Sequence, residues 1–181
     1  SAISKLTCQT NNLKESSLIK IEGGETITHQ IDKSESSQRG TKIFIKDLFY
    51  NTPVRLKFIP SKTSEKNQLT KMINAFLLTH PHIRFSLKWD ENEKEIFQST
   101  QEDKRIKDVL FKKKSQNSEL IHTEVDYDGV KLTLYLSLDS NRGNAHKHHY
   151  LFINNRYVQD ISLHKIILNS AKGIWPEGET G

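Results

Sequence analysis

The apolar residues of this chain switch repeatedly between a repeat of two and a repeat of 3.6, and that alternation limits the fold more than any other feature. Ile19 and Ile21 begin a short strand, Gly23-Gly24 turns it, and Ile27 to Ile31 return. A polar loop from Asp32 to Arg39 leads to a strand at Ile43-Phe44-Ile45. Thr52-Pro53 reads as a helix start, with Thr52 as the cap and Pro53 at the first helical position. Leu69, Met72, Ile73, Phe76 and Leu77 then form one apolar stripe, which predicts a core-facing helix stopped by Pro81. Ile83, Phe85, Leu87 and Trp89 alternate with Arg84, Ser86 and Lys88 as a half-buried strand, and Ile96-Phe97 come back after a turn at Asp90 to Glu93.

A polar stretch from Ser99 to Lys104 marks a domain boundary. Beyond it, Ile106, Val109 and Leu110 line a short basic helix ending in Lys112-Lys113-Lys114. Strands at about 119–127 and 130–138 meet at Asp128-Gly129, a strong hairpin signal. After a loop at Asp139–His146, a strand runs from Tyr150 to Asn154, and Asn154-Asn155-Arg156 turns it. Asp160 caps a helix lined by Leu163, Ile166, Ile167 and Ser170, and Gly173 closes it. The expectation is an α+β fold in two layers, with an antiparallel or mixed sheet in each half. From about residue 102 onward a separate core is expected, centred on Leu132, Leu134, Leu136, Ile153, Leu163, Ile166 and Ile167.

Composition narrows the function classes. No apolar run approaches the roughly 18 residues that span a bilayer, and no signal-peptide pattern opens the chain. The single cysteine, Cys8, excludes an internal disulfide and favours a reducing compartment; nothing near it in sequence activates it, so it reads as a half-buried strand residue. Net charge is only +5, but residues 39–71 hold eight bases against two acids, an excess of six. A basic zone on a near-neutral body suggests a polyanionic partner, although a solvated lysine-rich face gives the same count. His146, His148 and His149 invite a metal reading, but three histidines in a polar loop lack the structured spacing of a zinc site and read as adventitious. Lys112 to Lys114 read as a solvated loop rather than a nucleic-acid contact. No Ser/His/Asp set or carboxylate pair points to hydrolysis.

The most informative stretch is Gly40-Thr41, a strand, then Asp47-Leu48-Phe49-Tyr50-Asn51-Thr52-Pro53-Val54-Arg55-Leu56-Lys57-Phe58. It is a strand running into a tight aromatic turn and then a helix bearing two bases. Propensity does not explain why Phe-Tyr-Asn-Thr-Pro stands there. As a contiguous string it resembles the signature of the MutL family of DNA mismatch-repair proteins. Ala2-Ile3-Ser4-Lys5-Leu6-Thr7 is similar to the family segment after the glycine-rich ATP lid. Leu151-Phe152-Ile153-Asn154-Asn155-Arg156-Tyr157-Val158 is similar to its strand and Val-Asn-Gly-Arg turn, with Asn155 at the usual glycine, and Ala171-Lys172-Gly173-Ile174 also fits. Asn tolerates a left-handed backbone, so the turn is expected to survive.

The resemblance implies that residues 1–100 are the C-terminal part of a GHKL-type ATPase α/β sandwich. Residues 101–181 would then be a transducer domain similar to ribosomal S5 domain 2, truncated at its C-terminal end. The chain reads as cut at both ends. Of the family's nucleotide motifs only Gly40-Thr41 falls within it, with Thr41 implied to help hold the adenine end. Without the resemblance, the pair is simply a strand entry and a good strand residue. ATP and magnesium are implied for the full-length parent, and no tightly bound cofactor is expected on these residues alone, which are expected to be inactive as an ATPase. Arg55, Lys57 and Arg156 match positions where the family presents bases near a DNA groove between the two domains. They are expected to neutralise phosphates without reading sequence. Pro60 stands where family members often carry a further base, and Lys62 is the nearest substitute.

The implied function is an ATP-switched mismatch-repair protein that closes as a homodimer or related heterodimer. Its implied partners are DNA, a mismatch-recognition protein and a downstream nuclease or helicase, with no membrane. It would be cytoplasmic and nucleoid-associated in a bacterium, nuclear in a eukaryote. Two rivals stand beside this reading: another GHKL ATPase such as a type II topoisomerase subunit, and a nucleic-acid-binding module with no nucleotide role. The Phe49–Pro53 string and the Asn-x-Arg turn speak against the first, and Gly40-Thr41 against the second.

Overall fold

The computed structural model describes residues 1–33, 38–111, 119–138, 141–142, 149–171, 173–175 and 179–180, the backbone alone at 141–142 and 179–180. Packing divides the chain into two units, Ser1–Glu65 and Lys66–Gly181. The break in packing falls in the first turn of a helix.

The first unit is one antiparallel sheet. Strands β1 (Lys5–Asn11), β2 (Ser16–Glu22), β3 (Glu25–Asp32) and β4 (Gly40–Lys46) lie in the order β3-β2-β1-β4. The β2–β3 hairpin turns at Gly23-Gly24, both at positive φ, as the pair predicts. Register sorts the side chains into two faces. Leu6, Cys8 and Thr10 of β1 share a face with Ile21 and Ile19 of β2 and with Ile45, Ile43 and Thr41 of β4. Lys5, Lys20, Lys42 and Lys46 share the opposite face. Cys8 is half-buried on the aliphatic face, in keeping with its reading as a strand residue.

After β4 the chain makes a tight turn in which Asp47 and Phe49 are left-handed, with φ of 52° and 64°. Residues Pro53–Phe58 then form a short 3-10 helix rather than an α-helix, with Pro53 in its first turn. Thr52 does not cap it. Its side chain makes no cap bond and its Oγ1 is buried without a partner. With i→i+3 bonding the first turn closes from the Thr52 carbonyl, which accepts from Arg55 N–H at 2.9 Å, and the side chain is left over.

In the second unit α1 (Lys62–Thr79) leads to β5 (Phe85–Leu87), β6 (Glu95–Phe97) and α2 (Glu102–Leu110). The buried core is Leu77, Phe97 and Val109, with Ile73, Leu78, Phe85, Leu87 and Leu110 against it. Elements on both sides of residue 100 thus build one core. The α1 stripe is only partly in it: Ile73 and Leu77 pack inward while Leu69, Met72 and Phe76 are exposed. The centre of this unit is Arg105, fully buried, whose Nη2 donates to the carbonyls of Pro81, Ile83 and Gln98 at 2.8–2.9 Å. Its guanidinium lies over Phe85 and Phe97, and burial lowers its pKa.

Strands β7 (Leu120–Tyr127) and β8 (Val130–Ser137) form the expected hairpin, with Asp128 and Gly129 at φ of 50° and 76°. A two-residue turn with both φ positive matches the twist of the flanking strands. Beyond it, β9 (Asn141–Arg142) pairs with β12 (Glu179–Thr180) inside the expected loop. β10 (Leu151–Ile153) and β11 (Arg156–Val158) pair across Asn154-Asn155, both left-handed, and α3 (Ile161–Ser170) is capped by Asp160, whose carboxylate accepts from Leu163 N–H at 2.8 Å.

The separate core expected beyond residue 102 is not found among the described residues. Leu132 and Leu134 are 58% and 38% exposed, Ile153, Leu163, Ile166 and Ile167 are exposed too, and no residue of α3 is buried. The leucines do share a face, Leu132, Leu134 and Leu136 standing opposite Val125, Thr123 and Ile121, but the phase that turned Leu134 inward is wrong. It is the other face that packs. Tyr135 there stacks on His122, and its hydroxyl donates to Glu102 at 2.6 Å. Alternation fixes which residues share a face, not which face finds a neighbour. No helix among the described residues is long and apolar enough to cross a membrane.

Candidate nucleotide and nucleic-acid contacts

The turn that carries the signature string is braced against the N-terminal segment of its own unit. Phe49 N–H donates to the Ile3 carbonyl at 2.6 Å, and the Asn51 side-chain amide donates to the Ala2 carbonyl at 2.9 Å. The Asp47 carboxylate pairs with Lys5 at 3.2 Å, and Lys5 Nζ sits 5.2 Å from the centre of the Tyr50 ring. The hydrogen bond and charge of Asp47 raise the pKa of Lys5. This accounts for the residue types: two left-handed backbones make the reversal, and Tyr50 and Asn51 fasten it.

Gly40 and Thr41 begin β4. The Thr41 hydroxyl lies 2.9 Å from that of its cross-strand partner Thr10, whose hydroxyl also reaches the Gly40 carbonyl at 3.4 Å. Thr10 was not legible as a site residue, because its pairing depends on a register spanning about 30 residues of sequence. The pair is exposed, on the aliphatic face of the sheet. No three His, Cys, Asp or Glu side chains come together for a metal among the described residues. The histidine cluster is only partly visible: His149 lies 3.3 Å from His164, ring nitrogen to ring nitrogen, while His146 and His148 lie outside the described residues, as do Lys112 to Lys114.

The bases of residues 39–71 are spread over several elements. Lys42 and Lys46 stand on the sheet face opposite Thr41, and Arg55 and Lys57 are exposed on the 3-10 helix. Two residues apart on such a helix point to different sides. Lys62, exposed, opens α1. Lys66 and Lys71 lie over the rings of Trp89 and Tyr150 within the second unit. Arg156, also in that unit, is exposed at the start of β11 beside a shallow concavity lined by Ile153, Asn154 and Val158.

No protein-family profile matches the chain. Individual relatives do. The DNA mismatch repair protein MutL of Staphylococcus saprophyticus is 31% identical over 172 residues, covering 93% of this chain and 25% of that protein. The MutL of Agrobacterium fabrum is 29% identical over 175 residues, 95% of this chain and 27% of its own length. Among solved structures, the Aquifex aeolicus MutL ATPase domain complexed with ADP matches with a TM-score of 0.71 at 25% identity, over 93% of this chain and 64% of that one.

This chain belongs to the MutL family. Its mixed α+β fold is that of the MutL ATPase domains, a GHKL-type sandwich portion followed by a transducer-like region. The chain spans about a quarter of the length of the curated MutL relatives it matches. The signature turn and the Asn154-Asn155-Arg156 hairpin are the MutL-like features whose local geometry is best defined.

Proposed function

We propose that this chain serves a DNA mismatch-repair protein of the MutL type, in which nucleotide binding and hydrolysis switch a sequence-independent grip on DNA and pass the mismatch signal to a downstream nuclease or helicase. The observation that carries the reading is the MutL similarity over 93–95% of the chain, together with the solved MutL ATPase domain holding ADP. Within it, Gly40 and Thr41 contribute to the adenine end of the nucleotide, with the Thr41 hydroxyl as the contact. The 181 residues alone neither bind ATP tightly nor turn it over. Residues 1–100 correspond to the ATPase module and 101–181 to the transducer, in a protein that works as a homodimer or related heterodimer.

Arg55, Lys57 and Arg156 neutralise DNA phosphates. Being exposed and carried on short elements, they suit a partner whose sequence is arbitrary. The test is DNA affinity across a salt series for the full-length protein and its Arg156→Glu variant, with circular dichroism to confirm folding. The variant should bind all sequences less tightly and flatten the log–log salt slope by about 0.9. An unchanged affinity and slope in a folded variant would remove Arg156 from the DNA surface.

A further inference from the structure

Tyr150 immediately precedes β10 and contacts both the hairpin and α1. Its ring lies 6.4 Å from Phe152 and 5.6 Å from Tyr157, which are themselves 5.8 Å apart across the β10–β11 pair. Its hydroxyl accepts from the Asn74 side-chain amide of α1 at 3.2 Å, and Lys71 Nζ, one turn earlier on that helix, stands 5.8 Å from the ring centre. All three rings are half-buried. Arg156 is Tyr157's neighbour and sits at the end of a two-residue turn whose backbone is fully specified by two left-handed asparagines. A hairpin of three residues per strand has too few ladder bonds to hold its own orientation. The ring cluster and the α1 contacts supply what the ladder lacks.

We infer that Tyr150 is a positioning residue for the Arg156-bearing hairpin: it clamps β10–β11 to α1 through Asn74 and Lys71, and so sets where Arg156 meets a phosphate. The inference rests on the proposed DNA reading of Arg156. A phosphate contact depends on placement as well as charge, since a long, mobile cation in water gains little from a fixed partner. Aromatic clusters have defined geometry and few rotamers, which makes them suited to hold a short hairpin in one attitude.

The experiment is a double-mutant cycle on the full-length protein, read as affinity for mixed-sequence duplex DNA at about 0.15 M salt. Arg156→Ala should weaken binding about fivefold there, the counterion-release value of one phosphate contact. Tyr150→Ala should produce most of that loss in the wild-type background and almost none when Arg156 is already alanine. Tyr150→Phe, which keeps the ring cluster but loses the bond to Asn74, should give a smaller loss of the same kind. If Tyr150→Ala does not fold, Asn74→Ala carries the same expectation in smaller measure. An equal loss from Tyr150→Ala in both backgrounds would show a merely structural role and overturn the inference. So would an unchanged affinity in the Tyr150→Ala variant where Arg156→Ala does weaken binding. If Arg156→Ala itself changes nothing, the DNA reading fails first and the inference falls with it.

Discussion

The hydroxyl oxygen of Tyr50 lies 2.9 Å from the point where a β-carbon on Gly23 would stand. The aromatic turn after β4 and the glycine turn between β2 and β3 are therefore fitted to each other, and the fit explains a tyrosine that propensity does not. Gly23 is also left-handed, at φ +58°. Gly23→Ala should destabilise the first unit by roughly the 1–2 kcal/mol of the backbone conformation, because the hydroxyl of exposed Tyr50, at the far end of its side chain, can swing aside. Gly129→Ala, at φ +76° with nothing within 4 Å, supplies the comparison. Urea denaturation of the two variants checks this; a markedly larger loss in Gly23→Ala would mean that the Tyr50 hydroxyl does not move aside.

Arg105 gives the largest expected stability effect. Its Nη2 serves three carbonyls, while Nε and Nη1 are buried without a partner. Arg105→Met keeps much of the volume and removes the buried charge, but, although the Pro81 carbonyl keeps its bond from Thr100 N–H at 3.0 Å, it strands the Ile83 and Gln98 carbonyls. Stranding them should outweigh the relief, for a net loss on the order of 2–4 kcal/mol. A thermal melt at the wild-type temperature would contradict this.

Tyr135 should titrate late. Its pKa is pushed up to about 12, first by burial and then by its hydrogen bond to Glu102. The folded value is raised above the unfolded one, so its contribution to stability is complete below about pH 10 and is lost as pH rises toward 12. Phenolate absorbance of wild type against Tyr135→Phe isolates this group among the five tyrosines. Glu102→Gln should bring the transition partway back, because burial remains. A Tyr135 transition near the ordinary value would count against the Glu102 contact.

Thr41→Val should weaken nucleotide binding by the full-length protein up to about tenfold, the range of one neutral hydrogen bond, with little change in stability. Thr10→Val should act in the same direction and less strongly, since it removes the partner of the Thr41 hydroxyl rather than the contact. Calorimetric titration with ATP and magnesium reads both. Unaltered affinity in Thr41→Val would leave Thr41 as an ordinary strand residue.

What the sequence determined by itself is local. The turns at Gly23-Gly24, Asp128-Gly129 and Asn154-Asn155 and the Asp160 cap were all legible, because each depends on the conformations a few residues allow. The alternation of β8 was legible for the same reason, and so were Pro53 at the helix start and the end of α1 before Pro81. The MutL string identified the family because so long a contiguous match rarely arises by chance.

Only the tertiary structure decided which surfaces meet. Leu134 and Tyr135 are adjacent on β8, yet Tyr135 packs and Leu134 does not, since a strand's period gives its faces but not their neighbours. Arg105 reads as one more base in a basic helix, and the fold buries it where two carbonyls of the turn after α1 and one from the end of β6 converge. Thr52 has the residue type of a cap, but the 3-10 turn closes without its side chain. Thr10 reaches Thr41 only through strand register, and Tyr150 reaches Asn74 across 76 residues. Local conformational preference is written residue by residue, whereas the choice of partner is a competition among all surfaces of the chain and is settled only when they fold together.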